Sequence, residues 1–432
     1  MGTIGLRNKL RDTRGGAAAK VLVVVLVLVI AGFAAWRFGL LDGALEFFGI
    51  GGAPPAEPLM ASPAEQAEAL GDQTEGDGAA ETAADETSGS SGGGSWFGTP
   101  LYAYAQLDKE DQEIYDIILA AYRSRTEQPL PDGLTNDDIS RVNEHVMADH
   151  PELFYIDSCN IMTVTTTDIF GESEKKSVQG VYLYGEEETA ELQAQLDEAA
   201  SVWLAELPEG ADDYAKAKYV YERLIRTVDY DVSAREDIGS SDQTLLSALL
   251  YGNAVCAGYS KAFEYLMQAM GIECVNVVGT GYGEAHSWNV ALLDGAYYHI
   301  DPTWGDPLYT GEDDGASDDV NFDYLGLTTA DIGKTHEPDS AFSLPECTSR
   351  ADNYYVREGL FLESADIDAV AAIIDNASWS GENHVRFRCS DGWVEETLRR
   401  LLIDDGAVYS LTGANTIRYN TPNELNTIAL WW

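Results

Sequence analysis

The dipeptide Asp294-Gly295 lies between His286-Ser-Trp-Asn-Val-Ala-Leu-Leu293 and Ala296-Tyr-Tyr-His-Ile-Asp301, and it constrains the fold more than any other feature of the chain. Asp-Gly between apolar-rich runs is a two-residue hairpin signal, because a type I′ turn needs two residues that tolerate positive φ. With such a loop Leu293 faces Ala296, so facing positions sum to 589 along the hairpin. Asp301 then lies opposite Trp288, and His286, two residues earlier, falls on the same sheet face, diagonal to Asp301. Diagonal neighbours across an antiparallel pair are roughly 7–8 Å apart at Cα, within reach of longer side chains. A carboxylate there can hold one imidazole tautomer while the other ring nitrogen faces a second group.

Cys256 is the candidate second group, in Gly252-Asn-Ala-Val-Cys-Ala-Gly-Tyr-Ser-Lys-Ala-Phe263. From there Tyr259, Ala262, Phe263, Leu266 and Met270 keep helical spacing until Gly271, a good C-terminal stop. Cys256 thus stands at or just inside a helix N-terminus, where unsatisfied N–H groups and the helix dipole favour thiolate and can stabilise an oxyanion. A lone Cys is more often a small buried hydrophobe; the His and Asp in register shift the balance toward a nucleophile. Ile272–Val278 reads as a strand. Gly279-Thr-Gly-Tyr-Gly283 reads as a turn, not a phosphate loop, since it precedes a strand where a dinucleotide fingerprint opens a helix. A helix-start Cys followed by a hairpin His and Asp, at spacings of 30 and 15, is the layout of a thiol acyl-transfer site.

The runs Gly-Asn-Ala-Val-Cys-Ala-Gly-Tyr, His-Ser-Trp-Asn and Tyr-His-Ile-Asp-Pro-Thr-Trp-Gly-Asp-Pro resemble the transglutaminase-like superfamily, most closely its bacterial, membrane-anchored members. The motifs lie within 212–307, with looser likeness at His150-Pro-Glu-Leu-Phe154 and Leu344-Pro-Glu-Cys-Thr348. The resemblance implies an α+β, papain-like core, a nucleophile helix packed on an antiparallel sheet. It makes Cys256 the nucleophile, His286 the general base and acid, and Asp301 the orienting carboxylate. It also implies attack on a carboxamide or peptide of a peptide or protein substrate, such as a cell-wall peptide. A thioester forms, which water or an amine then resolves. The alternative is a non-catalytic cell-surface binding or scaffold protein that keeps the fold. Animal transglutaminases add an upstream Trp indole to the oxyanion hole. Here the nearest upstream Trp is Trp203, 53 residues before Cys256, so that part does not carry over.

Trp288 and Trp304 read as site walls or core, Tyr259 as a site wall or a residue that supports one, and His299, facing Val290, as a supporting group rather than the base. No Cys or His pair has zinc spacing, so neither metal nor cofactor is expected. The run Glu312–Asp319 departs from the EF-hand pattern and reads as a solvated loop. Cys159, Cys274, Cys347 and Cys389 could form up to two disulfides or remain buried thiols.

The chain has 26 Lys+Arg against 73 Asp+Glu, a net charge of −47. Six of the basic residues precede position 51 against three acids, leaving 20 basic and 70 acidic residues, −50, over 51–432. Such a field repels phosphate backbones and excludes non-specific nucleic-acid binding. Val21–Trp36 is an uncharged run flanked by Lys20 and Arg37, and no further Lys or Arg occurs until Lys109. This predicts a single membrane anchor over 21–41, a cytoplasmic basic segment 1–20 and an extracellular main body; a cleaved signal peptide is the alternative. Residues 51–95, dense in Gly, Ala, Ser, Pro and acids, read as a disordered acidic linker. Helices are predicted over 108–125, 135–148 (capped by Asn136 or Asp137), 186–206 and 212–229, and a strand pair over 159–169 and 176–184. The body divides into an N-terminal α+β extension (96–190), a core (191–345) and a small C-terminal α+β unit (346–432).

Overall fold

Helical periodicity and capping chemistry set the first ordered elements. In the computed structural model the described residues are 95–96, 99–168, 171–231, 243–306, 320–420 and 422–432, all within one compact unit, Thr87–Trp432. The expected basic segment 1–20, the anchor 21–41, the linker up to residue 94 and the loop Glu312–Asp319 lie outside the described residues. Among the described residues no helix is long and apolar enough to cross a membrane.

Helices α1 (Lys109–Ser124) and α2 (Asn136–Asp149) bury Ile114, Ile118 and Tyr122 against Ile139, Val142 and Val146. The cap of α2 is Thr135, not Asn136 or Asp137. Its hydroxyl accepts from Asp138 N–H, and the Asp138 carboxylate accepts from Thr135 N–H. Thr-x-x-Asp closes this reciprocal box as Ser/Thr-x-x-Glu does, which moves the start one residue upstream. A long hairpin follows, β1 (Ile156–Asp168) with β2 (Gly171–Tyr182), extended by Gln128–Pro129. Helices α3 (Glu186–Ala205) and α4 (Asp213–Thr227) then bury Leu196 and Trp203 with Tyr214, Tyr221 and Leu224 in the largest core cluster.

Helix α5 (Cys256–Ala269) precedes a five-stranded antiparallel sheet. Its strands are β3 (Cys274–Gly281), β4 (Glu284–Leu293), β5 (Ala296–Ile300), β6 (Leu325–Leu327) and β7 (His336–Pro338), in spatial order β6-β5-β4-β3-β7. The β4–β5 pairing runs from Leu293↔Ala296 to Asn289↔Ile300, the register that the two-residue loop dictates. Asp294 and Gly295 both have positive φ, 46° and 94°, as a type I′ turn requires. Side chains alternate between faces of a strand. Ala262, Phe263 and Leu266 of α5 share a core with Ala291, Leu293, Tyr298 and Ile300 on one face. The other face carries His286, Trp288, Val290 and His299; Trp288 and Val290 pack there with Val275, Val277, Ala103 and Phe342.

The glycine-rich stretch is only partly a turn. Gly279-Thr-Gly281 completes β3, and the reversal is Tyr282-Gly283, with φ of 49° and 82°. Two close approaches explain glycine inside this strand. A Cβ on Gly279 would stand 2.2 Å from the Glu337 carbonyl oxygen of β7, and one on Gly281 would stand 2.7 Å from Trp304. C-terminal to this sheet, β8 (His384–Cys389) and β9 (Thr427–Trp431) centre a four-stranded sheet, whose core they share with α6 (Ile367–Trp379) and α7 (Gly392–Arg399). The architecture is mixed α and β.

Candidate active site

Cys256 is the first residue of α5; Val255 caps it without a side-chain hydrogen bond. One turn on, a buried polar seam locks the helix to the sheet. Ser260 Oγ lies 2.7 Å from Ser287 Oγ and accepts from Asn276 Nδ2 at 2.7 Å, while Asn289 Nδ2 donates to Ser260 O at 2.9 Å. Ser287 and Asn289 alternate with His286 and Trp288 along β4. The residues that hold the helix and those that face the other side are therefore interleaved in His-Ser-Trp-Asn, the pattern by which a sequence could reveal the seam.

His286 is 5% exposed and Asp301 is fully buried. His286 Nε2 donates to Asp301 Oδ2 at 2.8 Å. Asp301 Oδ1 accepts from Thr303 N–H at 3.0 Å and from Trp304 N–H at 3.3 Å. Cys256 is also a hydrogen-bonding neighbour of the His286 side chain. With Nε2 committed to Asp301, the nitrogen that serves the sulfur is Nδ1. Burial alone would lower the His286 pKa; the Asp301 carboxylate, its hydrogen bond and the adjacent Cys256 outweigh burial and raise it. Burial alone would raise Asp301, and its two histidine neighbours instead hold it below the usual carboxylate range. Cys256, His286 and Asp301 thus form one continuous line of contact.

Sequence reasoning missed His336. Its Nε2 lies 3.1 Å from Asp301 Oδ2, the same oxygen that His286 uses, and its Nδ1 lies 2.7 Å from Thr335 Oγ1. The ring centroids of His336 and His286 are 5.2 Å apart, and Trp304 and Trp288 enclose His336 at 4.4 and 4.9 Å. The one sequence signal was the Gly279/Gly281 pair, which clears the surface of β3 between the two imidazoles. His286, Asp301 and His336 also offer donor atoms within 4.8 Å of one another, close enough to hold a metal ion. The separations of 2.8 and 3.1 Å are those of two N–H···O hydrogen bonds onto one carboxylate oxygen.

The remaining candidates separate by position. Trp304 stacks on Tyr282 at 5.1 Å and tilts toward His286 at 5.5 Å, so it lines the imidazole. Trp288 stacks on His286 at 6.2 Å and donates Nε1–H to His299 Nδ1 at 3.1 Å. Burial pushes His299 down to about 4, which keeps it a neutral acceptor that braces Trp288. Tyr259 is a core residue rather than a wall: it is fully buried, and its hydroxyl lies 2.7 Å from both Asp306 Oδ2 and the Val228 carbonyl oxygen. Trp203 lies in the core with Arg223 over its ring at 4.6 Å. All five cysteines are free thiols.

Residues 205–302 match the family described as the transglutaminase-like superfamily. Over 114 residues the chain is 26% identical to kyphoscoliosis peptidase of Mus musculus, a stretch covering 24% of this chain and 17% of that protein. The chain therefore spans 17% of the length of this curated relative. Among solved structures, a TGase aligns with a TM-score of 0.25 at 13% identity, covering 33% of this chain and 43% of that one. The periplasmic domain of TgpA from Pseudomonas aeruginosa aligns at 0.21 and 15% identity, covering 36% of this chain and 67% of that one. The segment that matches the transglutaminase-like superfamily is the one that holds Cys256, His286 and the buried Asp301.

Proposed function

We propose that the chain is an extracytoplasmic cysteine acyl-transfer enzyme acting on peptide or protein amide bonds, held at the cell envelope by residues 21–41. The observation that carries the reading is the line from the partly exposed Cys256, at the start of α5, through the buried His286 to the buried Asp301. In this mechanism the Cys256 thiolate attacks the amide carbonyl carbon, and the C=O electron pair moves onto oxygen, where the Cys256 backbone N–H receives it. The protonated His286 gives its Nδ1 proton to the leaving amine as the C–N bond breaks, leaving a thioester and neutral imidazole. His286 then takes a proton from water or from an acceptor amine, whose attack on the thioester breaks the C–S bond, releases the acid or a new amide and restores the thiolate and the protonated His286. Asp301 keeps the proton on Nε2, so that Nδ1 is the nitrogen that exchanges it.

The peptidase name of the mouse relative supports hydrolysis. The charge of −50 over 51–432 supports transfer, since it concentrates protonated amines near the site, within a screening length of about 8 Å at physiological salt. The test supplies a peptide carboxamide with rising concentrations of a lysine-like amine and follows acid and amide products. Amine adducts that grow at the expense of acid establish transfer; acid alone at every concentration establishes a peptidase or amidase. No turnover beyond that of Cys256→Ala on a broad peptide panel would overturn the enzymatic reading.

A further inference from the structure

We propose that His336 is a positioning residue of this site: reaching across β3 from the edge strand β7, it donates Nε2–H to Asp301 Oδ2 and fixes the carboxylate that aims His286 at Cys256. The inference rests on the reading of Cys256, His286 and Asp301 as a thiol acyl-transfer site.

Strand pairing puts both imidazoles on one face. His286 pairs with Gly279 and His336 with Gly281. Paired residues share a face, and Gly279 and Gly281, two apart, share it too. With no side chain at either glycine, the two rings meet over β3; a Cβ on Gly281 would come within 3.3 Å of the His286 ring. Asp301 is thereby gripped by four donors: two backbone N–H groups on Oδ1 and two imidazoles on Oδ2. Carbonyl-type oxygens accept best near their own plane. Opposed donors on both oxygens therefore leave the carboxylate one orientation, and removing His336 leaves Oδ2 held by the ring it must orient. His336 is itself anchored by Thr335, whose backbone carbonyl accepts from Tyr282 N–H at 2.8 Å. Its side chain is fully buried, so it does not meet substrate. The titratable groups facing it are His286 of β4, Asp301 beyond β5, His299 of β5, and Tyr324, whose ring lies 5.9 Å away.

The test uses the full chain and iodoacetamide, with modification of Cys256 followed by peptide mass spectrometry across pH 5–11.5, a range that spans the His286 pKa, raised to about 10. The proteins compared are wild type, His286→Ala, His336→Leu and His336→Gln, whose amide can still donate toward Oδ2. His286→Ala must alter the pH profile of Cys256 alkylation. His336→Leu should move the His286-governed limb upward by about one pH unit, because a carboxylate relieved of one donor binds the imidazolium more strongly. His336→Gln should return it to the wild-type position. If His336→Leu does not fold, His336→Asn, whose amide stops short of Oδ2, must show the same shift. A wild-type profile in the Leu or Asn variant, with His286→Ala altered, overturns the role of His336 alone. A profile unchanged even in His286→Ala overturns the underlying thiol-site reading and this proposal with it.

Discussion

Replacing Asp149 with Asn should make stability less sensitive to pH by an amount that the structure fixes. Asp149 ends α2 and is fully buried. Its Oδ1 accepts from Ala103 N–H at 2.9 Å, and its Oδ2 from Tyr104 N–H at 2.7 Å and from the Tyr115 hydroxyl at 3.1 Å. The clamp matters to the site because Ala103 packs in the cluster that also holds Trp288. Burial pushes the Asp149 carboxyl up to about 6, with the hydrogen bonds restraining the rise. The unfolded value is about 3.9, so the folded pKa is the higher one. The stability that this group contributes is then complete below about pH 4 and is lost as pH rises through about 6. Two units at 1.36 kcal/mol each give a total loss of about 3 kcal/mol. About half, roughly 1.4 kcal/mol, falls between pH 5 and 7.5, a window clear of the acidic isoelectric region. A carboxamide at this position cannot ionise. Relative to wild type, Asp149→Asn should therefore gain about 1.4 kcal/mol over that window, whatever constant offset the lost oxygen imposes. Urea unfolding followed by tryptophan fluorescence at four or five pH values measures this difference. Parallel stability–pH curves for the two proteins would refute the assignment of a buried, proton-binding carboxyl at Asp149.

Asp301→Asn should lower amide turnover by about 10³–10⁴-fold while near-UV circular dichroism stays native, because the amide turns an N–H toward Nε2 and reverses the His286 tautomer. Gly279→Ala should destabilise the protein by about 1–3 kcal/mol through overpacking against Glu337, and hydrogen exchange should locate the loosening at β7. On the proposed topology, protease added to intact cells should release residues 96–432 by cutting within 51–95; full protection of the body would refute it. A thiol probe on the native protein should label Cys256 ahead of Cys274, Cys347 and Cys389, which are buried and whose pKa values burial raises.

The β4–β5 hairpin was legible in the sequence because a two-residue loop leaves one pairing. The observed pairing follows that register as far as Asn289↔Ile300, and Asp301, the next residue, meets the His286 ring. Helix α5 was legible because its apolar positions repeat at the helical period and glycine follows. The same periodicity shows why Tyr259 is core: it shares a face with Ala262, Phe263 and Leu266, all buried against the sheet. His336 was illegible for the opposite reason. It lies 35 residues beyond Asp301, on a three-residue strand too short for any period, and it reaches the site only through pairing with β3. The seam at Ser260 was half legible: the His-Ser-Trp-Asn alternation marks Ser287 and Asn289 as one face of β4, but their partner Ser260 is met only when helix and sheet dock.

That seam also bears on the order of folding. Ser260 meets Asn276, Ser287 and Asn289 across 16 to 29 residues of chain, and Asp301 adds a further 15 residues beyond His286. Contacts of this kind form only after the chain between the partners has closed, because the loop entropy must be lost first. A chain still threading out of its site of synthesis therefore carries Cys256 as an ordinary thiol, with no imidazole beside it. The nucleophile is assembled only when α5 docks on β3 and β4, so a precursor caught short of that step has nothing with which to acylate itself or its neighbours.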